Sequence, residues 1–176
     1  MSYIKIIAAA TLQFLRGQTH APVQASSDRW RALSEEAEEL YRQGKYTSSI
    51  VVGEKALELA EREVGPEHPD VANSLTILGK LYVDQGEYAV AEPLHKRALA
   101  IRKKTLGPDH FEAGTSLNNL AVLYEAQGEY GKAGSHYRSA LAIYKKALGQ
   151  DHLFVAACLQ NLAVLAYRQG DYAQSE

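Results

Sequence analysis

Cysteine is almost missing from this chain of 176 residues: Cys158 stands alone, so no disulfide can form within it. That fits a reducing compartment without requiring one. Only five prolines and thirteen scattered glycines are present, which excludes a collagen-like or low-complexity chain. Neither sign of charge dominates. The 19 Lys and Arg oppose 21 Asp and Glu, a formal net charge of -2. Nucleic-acid binders carry a basic stripe, so nucleic acid is not expected as a partner. No apolar run reaches the roughly 20 residues of a bilayer span, so no stable membrane span is expected. Also missing are a glycine-rich phosphate loop, a zinc-ligand cluster and a nucleophile elbow. The chain is not expected to be an enzyme or to need a cofactor or metal.

Hydrophobic residues make up 46% of the chain, enough to bury a core. The first 25 residues stand apart. Lys5 precedes the apolar run Ile6–Leu15, and Val23-Gln24-Ala25 offers small residues at a cleavage position before Ser26. Residues 1–25 are expected to be a secretory signal peptide, which would make the mature protein exported, periplasmic or secreted. Against it stand the single positive charge and Arg16. The other reading is an amphipathic helix packed on the first repeat, in a protein that stays cytoplasmic.

From residue 28 onward one phrase recurs. LYRQGKY ends at Tyr46, LYVDQGEY at Tyr88, LYEAQGEY at Tyr130 and AYRQGDY at Tyr172. Gly44, Gly86, Gly128 and Gly170 stand 42 residues apart. A constant period of this size marks a repeat architecture, and units are expected at about 28–68, 69–110, 111–152 and an incomplete 153–176. Within a unit, Leu75, Leu78, Gly79 and Tyr82 fall on one helical stripe. The stripe stops at Gly86, a residue suited to the left-handed end of a helix. A second helix then buries Tyr88, Ala91, Leu94, Ala98, Leu99 and Ile101. The next copy repeats this with Leu117, Leu120, Ala121 and Tyr124, then Tyr130, Ala133, Ala140, Leu141 and Ile143. The first copy is worn: Glu36 replaces a core leucine and Ser49 a core alanine. The fourth has Leu159, Leu162, Ala163, Gly170 and Tyr172, with only a turn or so of its second helix before Glu176.

These residues resemble the tetratricopeptide repeat family. They carry its large residue (Leu75, Leu117), Leu-Gly or Leu-Ala, a tyrosine three on, Gly-x-Tyr at the turn, and alanines at two points of the second helix. The common repeat has 34 residues. The longer unit here, with SLNNL at Ser116–Leu120, is similar to the kinesin light chain type, which many bacterial proteins also carry. The resemblance implies an all-α, right-handed superhelical solenoid of antiparallel helix pairs, with the first helix of each pair lining a concave groove. It implies a non-enzymatic scaffold that binds a peptide or protein segment there.

The candidate groove residues lie just off the core stripe of the first helices. They are Asn73, Thr76, Ile77 and Lys80; Thr115, Asn118, Asn119, Val122 and Glu125; and Gln160, Asn161, Val164, Tyr167 and Arg168. In related peptide-binding domains an asparagine at the place of Asn119 and Asn161 bonds the ligand backbone, which an amide suits because it both donates and accepts. Tyr41 and Tyr167 stand three residues before their glycine, whereas Tyr82 and Tyr124 stand four before. That turns the outer pair by about 100° toward the groove. His68, His110 and His152 recur at the repeat period and should lie on the order of 10 Å apart or more, too far to share a metal. Their loops read as structural punctuation. His95 and His136 read as partly packed side chains, and Cys158 as an inert buried thiol. Arg102-Lys103-Lys104 and Lys145-Lys146 read as cations complementing the ends of their helices. An uncovered fourth copy would also permit self-association, and a fragment of a longer protein with a separate effector domain is the further alternative.

Overall fold

A computed structural model describes residues 21–175, with side chains over 29–170. Most of the expected signal segment lies outside that range; residues 21–25 open the first helix. The described residues form seven α-helices and no strand: α1 (Ala21–Arg42), α2 (Tyr46–Val64), α3 (Pro69–Asp84), α4 (Tyr88–Thr105), α5 (Phe111–Ala126), α6 (Tyr130–Leu148) and α7 (Leu153–Ser175). Helices α1/α2, α3/α4 and α5/α6 pack as pairs, and each pair stacks on the next.

Two kinds of punctuation make this pattern. Gly44, Gly86 and Gly128 end the first helices at φ of 73°, 76° and 77°. Most L side chains are strained by about 1–2 kcal/mol in that left-handed conformation, and glycine is not. Between pairs, a histidine caps the next helix. The Nδ1 atoms of His68, His110 and His152 accept the backbone N–H groups of Asp70, Glu112 and Phe154 at 3.2, 3.3 and 3.2 Å. The loop histidines thus satisfy one of the orphan donors at each helix start, a task usually given to Ser, Asp or Asn. Each Nδ1 must carry a lone pair, so the proton of the neutral ring sits on Nε2.

The core follows the expected stripes. Val71, Ala72 and Leu75 of α3 pack with Ala98 and Ile101 of α4, Leu59 and Ala60 of α2, and Trp30 of α1. A second cluster joins Leu117, Leu120, Ala121, Leu123 and Tyr124 of α5 to Ala133, Tyr137, Ala140 and Tyr144 of α6, and to Val155, Cys158 and Leu165 of α7. Each buried leucine or valine contributes about 1.5–3 kcal/mol by leaving water. Ser49 is as buried as the alanines it replaces, and its hydroxyl donates to the Ala37 carbonyl at 2.6 Å. That bond removes most of the cost of a polar atom in the core.

Successive first helices also meet directly: α1 touches α3 and α3 touches α5. No comparable contact joins α2 to α4 or α4 to α6. The first helices are therefore the tighter-spaced side of the stack, and the stack curves around them. The lysines in the last turns of α4 and α6 reach back one loop. Lys104 pairs with Glu67 at 2.9 Å, and Lys146 with Asp109 in the equivalent place. These exposed pairs are worth little individually.

The fourth copy departs from expectation. Gly170 does not turn the chain: α7 runs through it to Ser175, and Gly170 has no positive φ. Without a second helix to cover it, Leu159 is 47% exposed, against 8% for Leu117 and 0% for Leu75 at the same repeat position. Ala163 is exposed too, where Ala121 is buried. Of the expected core stripe of α7 only Leu162 stays partly buried against α6, beside the buried Val155, Cys158 and Leu165.

Candidate binding groove

The inner face of the stack is laced by contacts between successive first helices. The Tyr41 hydroxyl donates to Asp84 at 2.6 Å, joining α1 to α3. The Asn161 amide donates to Asn118 at 3.4 Å, and Arg168 pairs with Glu125 at 3.4 Å, joining α5 to α7. All three link residues 43 apart: Tyr41–Asp84 and Glu125–Arg168 occupy the same repeat position two units apart, and Asn118–Asn161 lies two helical turns before the latter. Asn118, Glu125, Asn161 and Arg168 therefore have partners within the chain, and Tyr41, though exposed, spends its hydroxyl on a neighbour.

Asn73, Thr76 and Thr115 are held from behind. Arg102 is not the exposed, helix-end cation that its place in the last turn of α4 suggests. It is buried, and its guanidinium donates to Asn73 Oδ1 at 2.8 Å, Thr76 Oγ1 at 3.1 Å and Ser116 Oγ at 2.7 Å. Its Nε sits 3.2 Å from Glu112 Oε2 as an ion pair without a hydrogen bond. Burial pulls the guanidinium below its ordinary value, and the Glu112 carboxylate pulls it back. The reason Arg102 turns inward is that three hydroxyl or amide acceptors and a carboxylate converge there, which outweighs the weak field of one helix end. Tyr144, at the same position of α6, donates to Thr115 at 3.2 Å and stacks near Phe154. The sequence signal was an arginine where the sister copies have Ala60 and Tyr144.

The rest of the candidate set is freer. Among the described residues, Lys80, Asn119 and Gln160 make no side-chain hydrogen bond or ion pair within the chain, and Ile77 is half-buried beside Lys80. Val122 and Val164 are exposed, and Tyr167 is 71% exposed. Two recesses open on this face. One of about 200 Å³ lies between α1 and α3, bordered by Tyr41, Ile77, Lys80 and Leu81. Another of about 130 Å³ lies where α3, α4 and α5 meet, lined by Lys80, Val83, Asp84, His95, Asn119 and Val122. Lys80 borders both.

His95 is more deeply placed than expected. It is 1% exposed, and its ring lies over Gly79, so close that a Cβ on that glycine would fall 2.5 Å from the ring. Burial, with Lys80 and Arg102 nearby, lowers its pKa to about 4. Its Nδ1 has no hydrogen-bond partner. The third copy pairs Ala121 with Tyr137 at these positions and the first pairs Ala37 with Gly53, so glycine at 79 answers to the histidine. Gly79→Ala is expected to destabilise the protein by about 1–3 kcal/mol although alanine is the better helix former. In the His95→Tyr background, which restores the sister pairing, the same change should cost less. Urea denaturation of the four proteins of this cycle measures the coupling, and equal costs in both backgrounds would show the contact to be slack.

Cys158 is buried and its thiol donates to the Tyr137 carbonyl at 3.2 Å. Burial raises its pKa, which removes the thiolate that reactivity needs. His136 approaches the Lys132 carbonyl at 2.9 Å and packs near the Tyr124 ring. Among the described residues, no group of three His, Cys, Asp or Glu side chains could hold a metal ion, and no helix is long and apolar enough to cross a membrane.

Comparison with known proteins agrees with this architecture. The family model described as "Tetratricopeptide repeat" matches residues 31–104, 78–146 and 112–176. No curated protein matches the chain. Among solved structures it is similar to BtubC (BKLC) from P. vanneervenii, with 23% identity and a TM-score of 0.73. It is also similar to the putative kinesin light chain with nearly identical TPR-like repeats from Podosopora anserina, with 25% identity and a TM-score of 0.73. The aligned regions cover 82% and 83% of this chain, and 57% and 69% of those chains. The chain thus spans just over half the length of the first. These neighbours share the all-α solenoid of helix pairs. Repeats of this kind generally mediate contacts between proteins, and the fold is typically that of a non-enzymatic scaffold. The chain belongs to the tetratricopeptide repeat family.

Proposed function

We propose that the protein is a non-enzymatic scaffold that holds an extended peptide or protein segment along the inner face of its first helices. The observation that carries this reading is the set of unspent groups on that face. Lys80 and Asn119 keep their polar ends free beside exposed Val122, Val164 and Tyr167, and two recesses open among them. A peptide bond needs both a donor and an acceptor, which the Asn119 amide supplies whatever the ligand's side chains are. Asn118 and Asn161 bond each other at 3.4 Å through one N–H and one carbonyl, which leaves the Asn161 carbonyl and the Asn118 N–H groups for a ligand. The test is affinity capture with the full chain beside an Asn119→Ala/Tyr167→Ala variant, both checked for helical content. A partner kept by the first and lost by the second is expected. Identical captures by both proteins would overturn the reading.

A second reading, self-association, is favoured by one observation: the α7 face bearing Leu159 and Ala163 is exposed where its counterparts are covered. Sedimentation at rising concentration tests it. A mass that rises for the wild type and stays monomeric for Leu159→Glu supports it, and a constant monomer mass removes it.

A further inference from the structure

The recess among α3, α4 and α5 has a counterpart one repeat on, and there it is full. Tyr137 of α6 stands at the repeat position of His95, and its hydroxyl donates to Glu125 at 2.9 Å. Glu125 stands at the repeat position of Val83, and Val83 lines the recess together with His95. Where the third copy places a phenol with its carboxylate partner, the second copy places a shorter imidazole and a valine. The imidazole stays back against Gly79, a residue smaller than the Ala121 of the sister copy. The volume that a phenol ring occupies in one repeat is left open in the other.

The geometry points to this recess as a subsite for a single aromatic ring, and we propose that it takes a tyrosyl side chain of the segment bound along the groove. The proposal rests on the groove reading above. Size supports one ring: the recess is about 130 Å³, and an apolar cavity of about 150 Å³ holds one benzene. The recess is open to the groove, and a phenol matches its volume more closely than an indole does. The lining suits a ring that is apolar along its body and polar at its tip. Val83 and Val122 supply the apolar wall, while Asp84 and the Asn119 amide supply acceptors for a hydroxyl. Asp84 already accepts the Tyr41 hydroxyl, and a carboxylate has room for more. His95 contributes an imidazole whose Nδ1 has no partner.

The probe is p-cresol, the tyrosine side chain by itself, titrated into the full chain and followed by amide ¹H–¹⁵N shifts. Saturable shifts centred on Lys80, Val83, Asn119 and Val122 are expected, with a dissociation constant on the order of 1 mM, as for other very small ligands. The variant Val83→Glu/His95→Tyr rebuilds the filled arrangement of the third copy and should weaken binding at least tenfold. Val122→Phe, at an exposed site that does not threaten folding, should also block the recess. No saturable shifts, shifts centred elsewhere, unchanged affinity in a folded variant, or equal binding of 3-methylindole would each overturn the proposal. Its failure separates from that of the groove reading. A captured partner lost from Asn119→Ala/Tyr167→Ala but retained by Val83→Glu/His95→Tyr leaves the groove standing and removes the tyrosyl subsite.

Discussion

Arg102→Ala should lose about 3 kcal/mol of stability, the largest effect expected of any polar substitution in this protein. Breaking a buried ion pair from one side typically costs about 3–5 kcal/mol because a charge is left without compensation. Here the abandoned Glu112 is only partly buried and water can reach it, which places the cost at the low end. Ser116 is buried and loses a charged donor, though its hydroxyl still donates to the Glu112 carbonyl at 3.2 Å. Asn73 and Thr76 are freed on the inner face. Arg102→Met keeps much of the volume without the charge and should cost less than the alanine. Guanidinium titrations of the three proteins compare them directly. A loss under 1 kcal/mol in Arg102→Ala would mean that the network is replaced by water at little cost. Because the arginine ties α4 to both α3 and α5, the loss should also appear as faster hydrogen exchange at both junctions.

Acidification should remove stability through His95. Its ordinary pKa is about 6.5, and in the folded protein it lies at about 4. The folded chain therefore binds fewer protons than the unfolded chain between these values, and stability rises with pH across that window. Its contribution is fully present above about pH 6.5 and lost progressively toward pH 4. The total is about 3 kcal/mol for a shift of this size. The physical cause is that a buried imidazolium would stand near Lys80 and Arg102 with Nδ1 lacking an acceptor. Unfolding free energies measured from pH 7.5 to 4 should fall more steeply for the wild type than for His95→Tyr, which has no group titrating in that range at position 95. Parallel pH profiles would show that His95 is protonated without penalty in the folded state.

The repeat phrase was legible because each of its parts has a local physical task. A glycine must stand where φ is positive, and leucines and alanines must recur at the helical period, whatever lies elsewhere in the chain. Such constraints act within one unit and are written in each copy. Arg102 and His95 were not legible in this way. Each looked ordinary when judged by its own helix: a cation in a last turn, a polar residue off the stripe. Their roles depend on acceptors or on missing volume contributed by two other helices. Comparing the copies at fixed repeat position would have flagged both, since Arg102 stands against Tyr144 and His95 against Tyr137. The candidate groove residues divide on the same ground. Their helix phase was readable, while which of them keep a free polar group depends on neighbours 26 to 43 residues away.

By itself the sequence determined the helix pairs, their turns, the period and the family, because hydrophobic spacing and backbone conformation are local matters. Only the tertiary structure decided that Gly170 stays helical, that Leu159 lies exposed and that a ring-sized recess opens beside His95. Each of those outcomes turns on whether a neighbouring helix is there to cover, fill or bond, and packing between elements distant in the chain answers that.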